Sequence, residues 1–568
     1  MTQEFLMGAM RFLGSRGGAV VSGLQYDTTG SETKKVTDHK LQQALKLAGR
    51  GKISRREFTQ LATASGVTLA AANTMFADAA RAEPKKGGTF KIGVGHGATT
   101  DTLDPGLYPD QFTGTALWGT LANSLTEIDA DGNVVGDVAE SFEPSDGAKK
   151  WMFKLRKGIT FHNGRTVTAD DVVASLLHHT KEDSKSAAKS LLKEVVSFKA
   201  DGPDTVVIEL SGGNADFPYT VSDYHMPIMP KNDDGSVDWQ SGIRTGAYAL
   251  DKFEPGVSAT FNKNPNYFKA DRGWFDRVEF YSIKDVTART NALLAGEIHH
   301  MDRCELKTLD MLKASPDLTI QEVTGYGHYV YVMNVGIKPF DDVNVRLAIK
   351  HSLNRDEIVE KVFEGHGTVG NDNPIAPAVK FAVDPQPRHS YDPEKAKAFL
   401  KKAGLESLGF DLSVSDAAFT GAVDSALLWK EHAKACGIDI NVIREPDDSY
   451  WDNVWLKKPF CASYWSGRPT CDWMFTTAYA ADAAWNDTFW KNPRFNELLV
   501  AARSETDEGK RAGMYAEMQQ VLHDDGGLIN LVFNSYVEAH VNTLGHGKVA
   551  VNWQLDGMKI AERWWFNA

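Results

Sequence analysis

The chain has 568 residues, with 62 Lys and Arg against 75 Asp and Glu and a formal net charge of −13. That length calls for more than one lobe, and the acidic balance disfavours nucleic acid and anionic membrane surfaces as partners. Its 4 cysteines are too few for a disulfide scaffold, and a core of this size needs none. Near the start, Ser54-Arg55-Arg56-Glu57-Phe58 stands before a weakly apolar run, Leu61–Ala77, and Ala80-Arg81-Ala82 follows. Paired arginines, a short apolar run and small residues at the two positions a signal peptidase reads make a twin-arginine export signal, cut after Ala82. The run is too short and too polar for a membrane anchor. No Cys follows before Cys304, which excludes lipid attachment at a new N-terminal Cys. The exported part, from residue 83, is expected to be soluble and periplasmic.

Beyond the leader, Thr89–Val94 alternates as a strand. Thr168-Ala169-Asp170-Asp171 opens a helix, with the Thr hydroxyl as cap and two carboxylates at the positive end of the dipole. Asn354-Arg355-Asp356-Glu357 opens another that Gly365 ends, and Asp392-Pro393-Glu394 a third that Gly404 stops. Leu427–Ala435 reads as helix, Gly437 stops it, and Ile438, Ile440 and Val442 alternate as a strand. Helix-then-strand units of this kind indicate an α/β fold.

Several chemistries are missing. Gly93-Val94-Gly95-His96-Gly97-Ala98 has dinucleotide-turn spacing, but a loop follows it, so no helix N-terminus is ready for a pyrophosphate. No phosphate-loop Lys-Ser/Thr signature, Gly-x-Ser-x-Gly elbow or His-Glu-x-x-His helix occurs. His299 and His300 are adjacent on a strand and point to opposite faces, so they do not converge on one metal. No catalytic residue, cofactor or metal site is expected.

Aromatic residues carry more. Trp451, Trp455, Tyr464, Trp465, Trp473, Trp485 and Trp490 crowd one region. Phe460–Trp465 reads as a strand that Gly467 and Pro469 break into a loop. Ligands of α/β lobes bind at such loops, and Ser415–Phe419, with Asp416, is a second one. Trp465, Trp473, Arg468 and Asp472 could together hold a small zwitterion, with Arg468 on its carboxylate and Asp472 on its ammonium. An Arg468–Asp472 pair inside a tryptophan core is the competing reading.

The chain from residue 83 resembles the family 5 extracellular solute-binding proteins, the dipeptide/oligopeptide-binding group of ABC importers. The matching blocks include Leu103-Asp104-Pro105, Val135–Phe142, Trp151–Gly164 with Thr168–Val172, Thr245–Tyr248, Asn264–Phe268, Ala292–Glu297 and Phe340–Ile349. Their order and spacing are more specific than any single block. The resemblance implies an α/β, two-lobed periplasmic binding protein fold with an extra subdomain, about 115–240, inserted in lobe I. Lobe I would run over 83–331 and recover the tail 536–568. Lobe II would be 332–535, with crossings near Tyr331–Asn334 and Phe533–Tyr536. Hinge closure on a ligand and delivery to a membrane permease and its ATPase follow from the same resemblance, with the receptor a monomer. In family dipeptide binders a carboxylate after a Trp-x-Gly turn takes the peptide ammonium. Trp465-Ser466-Gly467 matches that turn and Asp472 is the nearest carboxylate, although the usual Asp-Pro pair is absent. Tyr326, His328 and Tyr331, near the crossing, would also face the cleft. The ligand read this way is a peptide or related zwitterion. An oligosaccharide, an opine, or a metal or haem complex remains open in the same fold, and an exported cofactor-dependent enzyme remains open as another class.

Overall fold

The computed structural model describes residues 44, 55–64, 67, 84–446 and 450–567. It divides into two units, residues 1–83 and Pro84–Asn567. In the first, Arg55–Ala64 is helical; apart from Val67, the rest of the expected apolar run and the site after Ala82 lie outside the described residues. No helix among the described residues is long and apolar enough to cross a membrane.

The second unit is mixed α/β, built on one 11-stranded sheet. Its middle is formed by two long antiparallel strands, Leu318–Met333 and Leu528–Val541. On one side lie Phe460–Trp465, Leu408–Val414 and Ile438–Arg444. The last two are parallel and joined by helix Ala422–Lys434. Gly437 ends that connection at φ +75°, a left-handed angle that an L side chain takes only with strain. On the other side lie His300–Met301, Thr89–Val94, Arg277–Ser282, Ser258–Lys263 and Tyr248–Glu254. An antiparallel sheet of four strands between residues 139 and 210 stands apart. There Trp151, Phe153 and Leu155 alternate inward beside Val206, Ile208 and Leu210, the period-two pattern of a half-buried strand. Helix Ala169–Thr180 covers it. Asp171 reaches back to the Thr168 backbone N–H and accepts its hydroxyl, so the two residues close a capping box at the expected helix start.

Separate hydrophobic cores divide this unit. One gathers residues from Tyr326 to Phe533; another unites residues 90–280 with 544–566; a third fills the four-stranded subdomain between 125 and 228. Tyr331, expected at the crossing between lobes, sits well inside the first of these. It pairs with Ile529, and its hydroxyl meets Ser425 and the Ala422 carbonyl. The pairing of the two long strands breaks earlier, between Thr324 and His328.

Candidate functional site

The break falls on Gly325-Tyr326-Gly327, and close approach explains both glycines. A Cβ on Gly325 would meet the Tyr536 ring at 2.3 Å, and one on Gly327 would meet Asn534 Oδ1 at 2.4 Å. The Trp465-Ser466-Gly467 turn lies against the same segment. Gly467 has φ +75°, and its Cβ would stand 2.3 Å from the Tyr326 carbonyl oxygen. Two strands thus pass between cores at one narrow waist, where backbone lies directly on backbone.

Tyr326, His328, Trp465 and Arg468 come together at this waist. His328 is opposite Trp465 in the strand register and fully buried. Burial pushes its pKa down to about 4, and Arg468 acts in the same direction, so the ring is neutral. Its Nδ1 lies 3.4 Å from the Tyr326 carbonyl, and its Nε2 is buried without a hydrogen-bond partner among the described residues. Arg468 Nη1 donates to Ser466 Oγ at 3.1 Å and to the Gly467 carbonyl at 2.6 Å. Burial lowers its pKa, while Asp223 and Tyr224, from the other lobe, oppose that shift. Arg468 thus lies within electrostatic reach of the Asp223–Tyr224 segment.

An aromatic wall continues from the same turn. Ring centroids are 5.6 Å apart for Trp451–Tyr464, 5.9 Å for Trp451–Trp455, 6.2 Å for Trp455–Trp485 and 6.3 Å for Trp465–Trp485. Trp451, Tyr464 and Trp485 are 38%, 45% and 49% exposed, well above the usual burial of such rings. Tyr329 stacks on Phe419 at 4.6 Å. Beneath the wall, Trp455 Nε1 donates to Asp487 Oδ2 at 3.1 Å, while Asp487 Oδ1, Ser463 Oγ and Trp465 Nε1 have no hydrogen-bond partner within 3.5 Å among the described residues, although Trp465 still helps hold the Asp487 pKa down. Burial raises the Asp487 pKa to about 7.

The remaining expected residues go elsewhere. Asp472 does not pair with Arg468. Its carboxylate accepts from Arg503 Nε at 3.1 and 3.3 Å, and burial raises its pKa to about 6 while Arg503 pulls it down. Trp473 is half-buried on helix Cys471–Ala478 and outside the ring wall, and Trp490 packs on Phe495. Asp416 is exposed and accepts from the Val423 amide at the start of the next helix. All four cysteines are buried free thiols. Asp472 belongs to a second contact between lobes. There Ala215 N–H donates to the Arg503 carbonyl at 2.8 Å, Arg511 Nη2 meets Asp216 Oδ1 at 2.7 Å, and Arg503 Nη1 stands 3.5 Å from Glu194.

Two other clusters are set apart from the waist. A 670 Å³ cavity is lined by Glu127, Arg156, Lys157, Lys269 and Arg272, and its central charges are paired, Lys269 with Asp137 at 2.7 Å and with Glu127 at 3.1 Å. His389, His523 and Asp524 bring ligand atoms within 4.8 Å. The two rings stack face to face at 3.7 Å, which keeps their in-plane lone pairs parallel, and Lys350 donates to the His523 carbonyl beside them.

Bacterial extracellular solute-binding proteins of family 5 match residues 133–487. The chain belongs to this family. Oligopeptide-binding protein OppA of Bacillus subtilis is 27% identical over 472 residues, 75% of this chain and 84% of that one. The periplasmic binding protein DppA of Helicobacter pylori, solved with the peptide STSA, superposes with TM-score 0.67 at 21% identity, covering 85% and 99% of the two chains. AgaA of A. tumefaciens, solved with agropinic acid, gives 0.66 at 22%, covering 85% and 99%. These likenesses establish the two-lobed α/β fold of a family 5 solute-binding protein, and the family is one of transport components. Sequence reasoning missed Asp487, Arg503 and Asp216. Their roles depend on partners far away in the chain, and no local motif marks them.

Proposed function

We propose that the chain is the periplasmic receptor of an ABC importer that closes its lobes on a peptide or related small solute and hands it, unchanged, to the membrane permease. The observation that carries this reading is the waist, where the chain passes between two separate cores at Gly325-Tyr326-Gly327 and at the segment around Asn534. In this reading lobe II is residues 326–533, lobe I is the rest of 84–567, and the four-stranded subdomain belongs to lobe I. Export runs by the twin-arginine route, with the cut after Ala82. A ligand that touches Arg468 and the aromatic wall on one lobe and the Asp223–Tyr224 segment on the other makes its full contacts only when the lobes are shut, and so favours that state. Moving the equilibrium from 1:99 to 99:1 takes about 5.5 kcal/mol of differential affinity.

The test is small-angle scattering on the purified chain with and without a pool of di- and tripeptides, with mass spectrometry of whatever is released on denaturation. Compaction and an unmodified released solute support the proposal. A rigid body under every solute, or chemical turnover of the solute, refutes it.

A further inference from the structure

The lobes meet along a seam that starts at Tyr326, one side chain away from the Trp465-Ser466-Gly467 turn. Gly467 lies against the main chain of Tyr326, and Gly132 of lobe I lies against its hydroxyl. Gly132 is at the tip of the hairpin formed by Thr126–Ile128 and Val134–Gly136. A Cβ there would stand 3.1 Å from the Tyr326 hydroxyl and 3.0 Å from the Ala378 carbonyl oxygen, both on lobe II. Gly132 is buried while Asp131 and Asn133 beside it are exposed, so the tip is planted on the other lobe. It is also held in shape. Asp129 accepts from the amides of Asp131 and Asn133, each at 2.9 Å, and the Tyr219 hydroxyl donates to the Gly132 carbonyl at 3.0 Å.

The seam continues along the residues that follow the turn. Cys471 Sγ donates to the Lys380 carbonyl at 3.4 Å, which ties the loop after the turn to the Ala378 segment. Next come Asp472 with Arg503, the Ala215 amide on the Arg503 carbonyl, and the Asp216–Arg511 pair. A Cβ on Gly213 would stand 2.7 Å from Ser504 Cβ. A peptide laid beside another main chain needs about 4.8 Å between the two, so a contact with no room for one methyl group has none for a solute. Residues before the turn behave differently. Tyr464 ends in the exposed part of the aromatic wall with Trp451 and Trp485, and among the described residues no ring contact or hydrogen bond joins these three to lobe I. The turn thus has a sealed side and an open, aromatic side.

Resting on the reading of this cleft as the solute site, we infer that the receptor takes a linear peptide end-on: the seam blocks the shut site at one end, one terminus of the peptide stops at the Trp465–Gly467 turn, and the rest of the chain runs out along Trp451, Tyr464 and Trp485. The hairpin tip at Gly132 sets specificity without touching the solute, because it fixes where the peptide has to end.

The test uses the full chain and the tripeptide Gly-Phe-Ala, capped at one terminus or the other with a small or a bulky group of equal charge. The amine carries acetyl or dansyl; the acid carries a methylamide or a dansyl-ethylamide. By calorimetry the bulky cap weakens binding about tenfold or more relative to the small one at one terminus, and by less than about threefold at the other. A terminus that refuses even the small cap counts as refusing bulk. Gly132→Asn keeps the tip, because Asn tolerates the φ of +81° found there, and its side chain wedges the tip off lobe II. The penalty at the sealed terminus should then fall toward that of the open one. Tyr219→Phe, which removes only the bond that holds the tip, should act in the same direction. Equal tolerance of bulk at both termini, equal refusal at both, or a penalty that neither variant changes overturns the inference. So does a protein that compacts on another solute and binds none of these peptides. If no solute of any kind compacts the protein, it is the underlying receptor reading that falls.

Discussion

Asp216→Asn tests the contact between lobes away from the waist. Arg511 and Asp216 are 7% and 12% exposed in their side chains and 2.7 Å apart. Asn keeps the shape of the carboxyl group and removes its charge. Arg511 stays in place because its Nε donates to the Ala502 carbonyl and its guanidinium lies over the Phe381 and Tyr515 rings, 5.4 and 5.5 Å from their centroids. The loss is therefore that of one partner of a nearly buried ion pair, about 3 kcal/mol, or roughly 100-fold in the closed-to-open ratio. In an open form Arg511 and Asp216 are each solvated, so the whole penalty falls on the shut state. The Ala215 amide, which donates across the gap to Arg503, is a local reporter. Its hydrogen exchange should speed up by about the same factor, and scattering without ligand should show a larger mean radius. Arg511→Gln should act similarly, and the double variant should lose less than the sum of the two. Unchanged exchange at Ala215 in both single variants, with unchanged scattering, would refute the assignment of this pair as a closure contact.

Asp487 supplies a pH prediction. Its folded pKa, about 7, lies above the ordinary carboxylate value near 3.9. Between those values the folded state binds more protons than the unfolded one, so stability falls as pH rises from about 4 to 7, by an amount on the order of 4 kcal/mol. Asp487→Asn removes that loss, so its melting temperature should gain on the parent protein between pH 5 and pH 8. A constant difference across that range contradicts the argument. Gly467→Ala places a Cβ 2.3 Å from the Tyr326 carbonyl at φ +75°. It should cost about 2 kcal/mol or more, read as a lower urea midpoint, and a midpoint equal to that of the parent protein would show that the waist yields more easily than its packing implies.

The fold was legible because its signals are local. Alternation over Thr89–Val94 and Phe460–Trp465, and stops such as Gly437, mark strands and turns whatever their surroundings, and the ordered blocks from Leu103 to Ile349 mark the family. The site was legible only in part. Arg468 and Trp465 follow from a broken strand in an aromatic-rich region, and the structure brings both to the waist. Asp472 was misread because a carboxylate close in sequence to Arg468 has its partner on the helix Pro493–Ser504. The crossing that the resemblance implies near Tyr331–Asn334 falls inside the Tyr326–Phe533 core, and the two glycines at the strand break are explained only by the Tyr536 and Asn534 side chains opposite them.

The Tyr326–Phe533 core is continuous in sequence, and the other lobe is not. The sheet of lobe I needs residues 537–541 beside Met301 and the 318–324 segment, and its core needs Trp564 near the very end of the chain. The Tyr326–Phe533 segment therefore holds nearly all of its core in one stretch, while the lobe I core stays an open half-shell without residues 539–564. Lobe I thus waits on contacts between segments far apart in the chain, which makes it the slower half to form.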